Sequence, residues 1–335
     1  MYTPRAKGFL SLLVVSLAIQ SVTPTLLQNG TIYMLEEELS TYSFSCPPGQ
    51  LVGLSADRMT MFFYDLEKQQ LVMSKDLPLP GQLIQSSVDG KIVVTHDSYV
   101  TIVENYEPKT YPVSAIKSSS IVIMKDLVCI TPSIEESPSF ICLNLKNSSD
   151  HWHGCGNGYD EDSQGFVDSA KSWVYTLGLQ KYNLSDNGGC LEVVSDNTDS
   201  FNGDQLWFSY DGSRIFLNNG MTLFASDDDK DMQPHGDFNA SYREYYYNYF
   251  SQSSLPPYDI AGIQSDLNST IHYYSWPYLM PVADSTAAIP IPPQARAGYA
   301  EEVHMCDASG KSVTYVLVKY AFYGGTTKTG IVLLK

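Results

Sequence analysis

The sequence predicts an all-β protein, a single seven-bladed β-propeller stapled by disulfides. Three observations predict it. No apolar pattern at helical spacing lasts for three turns. Short β-type runs bounded by Gly, Pro, Asn, Asp and Ser recur along the chain. These runs repeat one phrase, strand–polar turn–strand, in units of roughly 40 residues, the period of propeller blades. A pair of β-sandwiches divided near 197–203 is the alternative architecture.

The chain begins with basic Arg5 and Lys7, then an uncharged apolar run from Phe9 to Ile19, then small and polar residues at Ser21 and Thr23. That order predicts a cleavable signal peptide over 1–21, with an uncleaved anchor as the alternative. The apolar run is short of the roughly 20 residues that span a bilayer, and the C-terminal strand, 329–335, ends in Lys335 without a long hydrophobic tail. No stable membrane insertion is expected. Sequons at Asn29, Asn147, Asn183, Asn239 and Asn268 agree with export, and each predicts a surface loop or turn. The expectation is therefore a secreted, N-glycosylated, extracellular chain: a signal peptide over 1–21, a lead segment over 22–45 and a propeller over 46–335.

The repeated phrase is clearest at Leu206–Leu217, around Ser209, Asp211 and Gly212, and at Leu83–Val94, around Ser87, Asp89 and Gly90. An Asp-Gly step favours a hairpin because Gly accepts φ > 0. Weaker copies lie at Leu51–Phe63, Val113–Met124, Phe166–Tyr175, Ile260–Tyr274 and Val303–Val316, making seven. The two clear copies resemble the strand–Ser-x-Asp-Gly–strand element of YVTN-type and WD40-like propeller repeats. No Trp-Asp dipeptide closes any copy, and kelch-type paired glycines are missing. The resemblance implies architecture and carries no function. A ring needs its first and last blades joined, and the early run Thr31–Leu39 or the last strand Gly330–Leu334 could complete a neighbour's sheet.

The chain has six cysteines and no CxxC pair. Cys129 and Cys142 lie in apolar runs either side of the turn-rich Pro132–Pro138, which predicts a bridged hairpin. Cys46 near the mature start and Cys306 near the end would lock the seam of the ring, leaving Cys155 with Cys190.

Asp160, Asp162, Gln164, Phe166 and Asp168 place oxygen ligands at alternating positions around Gly165. Ca²⁺ needs six to eight such ligands, one of them here the Phe166 carbonyl. The spacing resembles the calcium loops of integrin-type propeller blades, with Gln164 as the departure. An acidic surface loop is the alternative. The acidic run Asp227–Asp231 lacks the glycine and reads as a solvated loop. His151 and His153 would share one face of a strand, a pattern seen in metal sites, with surface histidines as the alternative. Tyr245, Tyr246, Tyr247, Tyr249 and Trp276 form an aromatic segment suited to protein or sugar contacts; a loop covering its own domain is the other reading.

With 37 acidic and 20 basic residues the formal charge is −17. A nucleic-acid partner is not expected. No nucleophile elbow, zinc-protease motif or phosphate loop occurs. The functional expectation is a non-enzymatic extracellular binding or scaffold protein with a protein or glycan ligand. The alternative is a secreted propeller hydrolase, of glycoside hydrolase or lactonase type, using clustered carboxylates.

Overall fold

The computed structural model describes residues 30–45, 49–87, 89–113, 118–124, 126–132, 140–146, 152–155, 166–168, 173–175, 181–184, 190–193, 205–209, 212–225, 234–237, 247–252, 260–264, 270–275, 280–308 and 311–334. The described chain opens with β1 (Gly30–Met34). Sheet I follows as β2 (Leu39–Ser45), β3 (Gln50–Ser55), β4 (Thr60–Asp65) and β5 (Gln70–Asp76). Sheet II is β6 (Ile84–Ser86), β7 (Ile92–Thr95), β8 (Tyr99–Glu104) and β9 (Glu107–Pro112). Sheet III is β10 (Ser118–Met124), β11 (Leu127–Pro132), β12 (Phe140–Asn144) and β13 (Trp152–Cys155). Sheet IV is β14 (Phe166–Asp168), β15 (Trp173–Tyr175), β16 (Lys181–Leu184) and β17 (Cys190–Val193). Sheet V is β18 (Leu206–Phe208), β19 (Arg214–Leu217), β20 (Met221–Phe224) and β21 (Pro234–Asp237). Sheet VI is β22 (Tyr247–Gln252), β23 (Ile260–Gln264), β24 (Thr270–Ser275) and β25 (Met280–Ala288). Sheet VII takes β26 (Ala295–Ala308), β27 (Lys311–Phe322), β28 (Thr327–Leu334) and the distant β1, in the order β1-β28-β27-β26. Seven antiparallel four-stranded sheets among the described residues replace the alternative of two large sandwiches. The strands β1 and β2, within the expected 22–45 lead segment, belong to sheets VII and I.

The polar phrase forms turns through its serine. In sheet I the Ser55 hydroxyl donates to Asp57 at 2.5 Å and accepts the Thr60 N–H at 3.0 Å. In sheet II Ser87 likewise bonds Asp89 and accepts the Lys91 N–H at 3.1 Å. In sheet V Ser209 accepts the Arg214 N–H at 2.9 Å. Gly90 and Gly212 take positive φ there, as does Arg58 in the copy whose turn lacks glycine. The seven phrases are not equivalent, however. Those at 83–94, 166–175, 206–217 and 303–316 join first and second strands of their sheets; those at 51–63 and 260–274 join second and third. The phrase at 113–124 is no hairpin, because it carries the chain from β9 of sheet II into β10 of sheet III.

Strands that are apolar on both sides are buried on both sides. In β7, Ile92 and Val94 pack on sheet I, whereas Val93 between them packs on sheet III. Among the described residues six neighbouring pairs of sheets share such a cluster: I with II around Phe63, II with III around Val128, III with IV around Val174, and IV with V around Tyr175. Sheet VI meets VII around Ile271 and Val318, and VII returns to sheet I through Leu317, Ile331, Phe44 and Tyr64. Every fully buried Val, Leu or Phe contributes roughly 1.5–3 kcal/mol.

First strands of neighbouring sheets run side by side in one direction. Ser43 bonds Ser86 at 2.9 Å, Ser86 donates to the Phe44 carbonyl at 2.7 Å, and Ser45 donates to the Ser87 carbonyl at 3.0 Å, so the residue numbers climb together. These serines are buried, and their mutual bonds satisfy them. The expected disulfide hairpin is present: Cys129 and Cys142 are directly opposite on β11 and β12, bonded, with Cα atoms 4.0 Å apart. Cys306 is also oxidised in a disulfide.

Candidate interaction surface on the closing sheet

Sheet VII has the longest strands, 14 residues in β26 and 12 in β27. The outer β1 covers β28 only from Gly30 opposite Leu334 to Met34 opposite Gly330. The pairing of β27 with β28 continues past that point, through Lys319–Thr329 and Tyr320–Lys328 to Ala321–Thr327. A three-stranded end of the sheet therefore projects beyond its outer strand. Register shifts in β26 between Ala295 and Ala297 and between Ala300 and Glu302 bend it.

One aromatic ring holds this projection to the core. Tyr320 is fully buried on the side facing sheet VI, and its hydroxyl donates to the Pro290 carbonyl at 3.0 Å. The ring lies across two glycines on the flanking strands: a Cβ at Gly298 would sit 2.8 Å from it, and one at Gly330 2.9 Å. Only glycine allows that approach, and the ring in turn covers backbone that glycine leaves bare.

Outside this anchor, large apolar side chains face solvent. Tyr323, in the β27–β28 turn, is 74% exposed, and Ile291, in the loop before β26, is 50% exposed. The two segments meet where the Tyr323 N–H donates to the Gln294 carbonyl. Tyr299 on β26 is 47% exposed and sits opposite Lys319. Lys319 is held 2.5 Å from Glu301.

Behind the projection the seam with sheet I is polar and paired. Tyr42 of β2 donates its hydroxyl to Glu301 at 3.5 Å, His304 lies 2.9 Å from Glu302, and the His304 ring stacks on Phe44 at 3.9 Å. Burial first, then the carboxylates of Glu302 and Glu301, push the Tyr42 hydroxyl far above its usual range, so it remains a donor. The carboxylates here serve as acceptors for neighbours. Among the described residues no three His, Cys, Asp or Glu side chains are grouped to hold a metal ion.

The local charge opposes that of the whole chain. Residues 285–300 contain Arg296 and no carboxylate, and residues 309–335 contain Lys311, Lys319, Lys328 and Lys335 and none either. Arg296 and Lys328 are exposed, with no ion pair among the described residues. The acidic run Glu36–Glu38 follows Leu35, whose N–H donates to the Thr329 carbonyl at 3.0 Å, and burial first, then Tyr33, Glu37 and Glu36, raise the hydroxyl of Tyr64.

The expected site residues fall elsewhere. Tyr247 and Tyr249 are in β22, the first strand of sheet VI, and so not on a long loop; Tyr245, Tyr246 and Trp276 lie outside the described residues. Of the expected calcium ligands, Phe166 and Asp168 bound the short strand β14, whereas Asp160, Asp162 and Gln164 lie outside the described residues. Asn183 sits within β16, paired with both Trp173 and Leu191, so that sequon marks a strand and not the expected loop. Asn29, Asn147, Asn239, Asn268 and Cys46 lie outside the described residues, while Cys155 and Cys190 fall at the end of β13 and the start of β17. The exposed Ile291, Tyr299 and Tyr323 were not singled out by pattern; they fall in the acid-free stretches 285–300 and 309–335.

No family model and no curated protein matches the chain. Solved structures do. Hsv2 of Kluyveromyces lactis is 9% identical with a TM-score of 0.58, covering 85% of this chain and 93% of that one. A chain of the Mitotic Checkpoint Complex is 9% identical with a TM-score of 0.57, covering 98% and 99%. The β-propeller domain of Cps50 (Swd1) from Myceliophteria thermophila is 10% identical with a TM-score of 0.57, covering 90% and 99%. These likenesses correct the expectation of a secreted, extracellular glycoprotein. The Mitotic Checkpoint Complex chain and Cps50 belong to intracellular, nuclear machinery, so a chain of this shape is not by that token an extracellular device. Beside the expectation of a non-enzymatic chain, with a hydrolase as its alternative, stand an assembly, the Mitotic Checkpoint Complex, and the β-propeller domain of Cps50, neither named for a reaction. At such low identity the likeness is one of fold: an all-β chain of small antiparallel sheets resembling a WD40-like β-propeller.

Proposed function

We propose that the chain is a closed seven-bladed propeller of the WD40-like repeat type that serves as a protein-binding platform within an assembly. The observation that carries this is the pairing of β1 with β28, which ties the first described strand to the last and makes sheet VII adjoin sheet I. Six of the seven sheet-to-sheet junctions are described, and closure requires the seventh, V to VI. A ring sealed this way is a rigid support whose turns can vary freely, and exposed aromatic residues on a rigid support are typical of binding surfaces. The match to a chain of the Mitotic Checkpoint Complex over nearly its whole length supports a protein partner.

The seam supplies a second bond for closure. Cys46 and Cys306 each follow one member of the stacked Phe44–His304 pair by two residues in the sequence, and Cys306 is disulfide-bonded. Peptide mapping of the unreduced protein is expected to recover Cys46 joined to Cys306. The platform reading is tested by cross-linking the natively purified protein followed by mass spectrometry. Reproducible cross-links from its lysines to one other polypeptide are expected; only intramolecular links would count against it.

A further inference from the structure

We infer that the loop joining sheets VI and VII, at residues 291–293, is the ligand of a partner domain whose aromatic-lined groove takes extended, proline-rich backbone. This rests on the platform reading and names the surface and the partner's chemistry. Three prolines fall within four residues, Pro290, Pro292 and Pro293. Each ring fixes its own φ at about −65° and pushes the residue before it, here Ile289, Ile291 and Pro292, into extended backbone. The run is extended yet belongs to no strand. Its ends are pinned. Ile289 and Ala295 are buried in the core that sheets VI and VII share. The Tyr320 hydroxyl donates to the Pro290 carbonyl at 3.0 Å, and the Ala295 N–H donates to the Pro292 carbonyl at 2.9 Å. Between the pins Ile291 is 50% exposed, and Pro293 is exposed too. Ile291 carries the one N–H of 290–293, and among the described residues nothing bonds that N–H or the Ile291 carbonyl. Tyr323, 74% exposed, adjoins the run where its N–H donates to the Gln294 carbonyl. An open carbonyl between proline rings is what polyproline-binding grooves read: aromatic faces pack on the rings, and an indole N–H or phenol O–H donates to the carbonyl. A partner that adds a strand needs the N–H groups the prolines remove, so that mode does not fit. Residues 289–295 carry no charge, so the contact is apolar. The pinned loop is already in its bound shape, which lowers the ordering cost of contact.

The test is an array of purified SH3, WW and EVH1 domains titrated with three full-length proteins: wild type, the double variant Pro292→Ala/Pro293→Ala, and Ile291→Asp. The first variant removes the proline rings, and the second keeps them and places a charge in the contact. Equal urea midpoints confirm that each variant folds; should the proline variant lose stability, Ile291→Asp decides. Wild type is expected to bind at least one of the domains. Both variants should bind that domain about tenfold more weakly or worse, and a synthetic peptide of sequence 288–296 should compete with wild type. Raising the salt should leave the affinity unchanged, as befits an apolar contact. A domain that binds the variants as well as it binds wild type overturns the loop as ligand and leaves the platform reading standing. Binding that fades as salt is raised overturns the chemistry. Failure of every domain to bind wild type overturns the proposal, and the platform reading is then decided by the cross-linking experiment, which does not depend on this loop.

Discussion

His96 shows how one buried residue couples the fold to pH. It is 1% exposed; its Nδ1–H donates to the Pro80 carbonyl at 3.0 Å, and its Nε2 is 2.9 Å from the Thr101 hydroxyl, itself 3.1 Å from Thr110. The arrangement suits a neutral imidazole, with Thr101 donating to Nε2 and accepting from Thr110. Burial holds its pKa below 6.5, against the weaker pull of the Pro80 carbonyl. The unfolded chain therefore takes up a proton first as pH falls. The stability this residue contributes is whole above about pH 6.5 and is lost as pH drops below that toward the folded value. Urea midpoints of wild type should fall between pH 7.5 and 5 more steeply than those of His96→Gln. Tyr320 makes a second residue-scale case. Tyr320→Phe leaves the Pro290 carbonyl without its donor and should cost about 1 kcal/mol. Gly298→Val forces the ring off the strand and should cost more, about 2–3 kcal/mol, read from the same midpoints.

At the scale of the element, β11 and β12 were legible in full. Two apolar runs around a proline-bounded turn, each with one cysteine, leave little freedom in register, and Cys129 falls opposite Cys142. Closing so short a loop stabilises by about 3 kcal/mol, so Cys129→Ala/Cys142→Ala should lower stability by that order in urea titration. The repeated polar phrase was legible as turns but not as positions within sheets. A serine that accepts the N–H closing its own turn works equally between first and second strands, as at Ser87, and between second and third, as at Ser55. The same polar composition also serves the passage from β9 to β10, where no hairpin forms. Tyrosine-rich stretches are ambiguous for a related reason. Tyrosine suits a half-buried strand as well as a contact surface, and Tyr273 and Tyr274 are core residues of β24.

For the molecule as a whole, the joining of the ends was readable, because Thr31–Leu39 near the start and Gly330–Leu334 near the end are runs able to complete a neighbour's sheet. The projecting end of sheet VII was not, since it depends on where β1 stops and not on any residue within β26 to β28. Deleting residues 30–34 should leave β28 as a bare edge, with Val332 and Leu334 losing their cover. The expected outcome is aggregation on size-exclusion chromatography, relieved by adding a peptide of sequence 29–35. The same pairing has a consequence in time. A ribosome adding about 5–20 residues per second needs some 15–60 seconds to travel from β1 to β28. Throughout, β1 has no strand to join, and sheets I to VI can mature while the seventh waits. A message cut short, or a chain stalled near its end, thus yields a nearly finished molecule with an open rim and a loose first strand. Placing the first strand last makes completeness of synthesis visible in the shape of the product, where a protease or chaperone can read it.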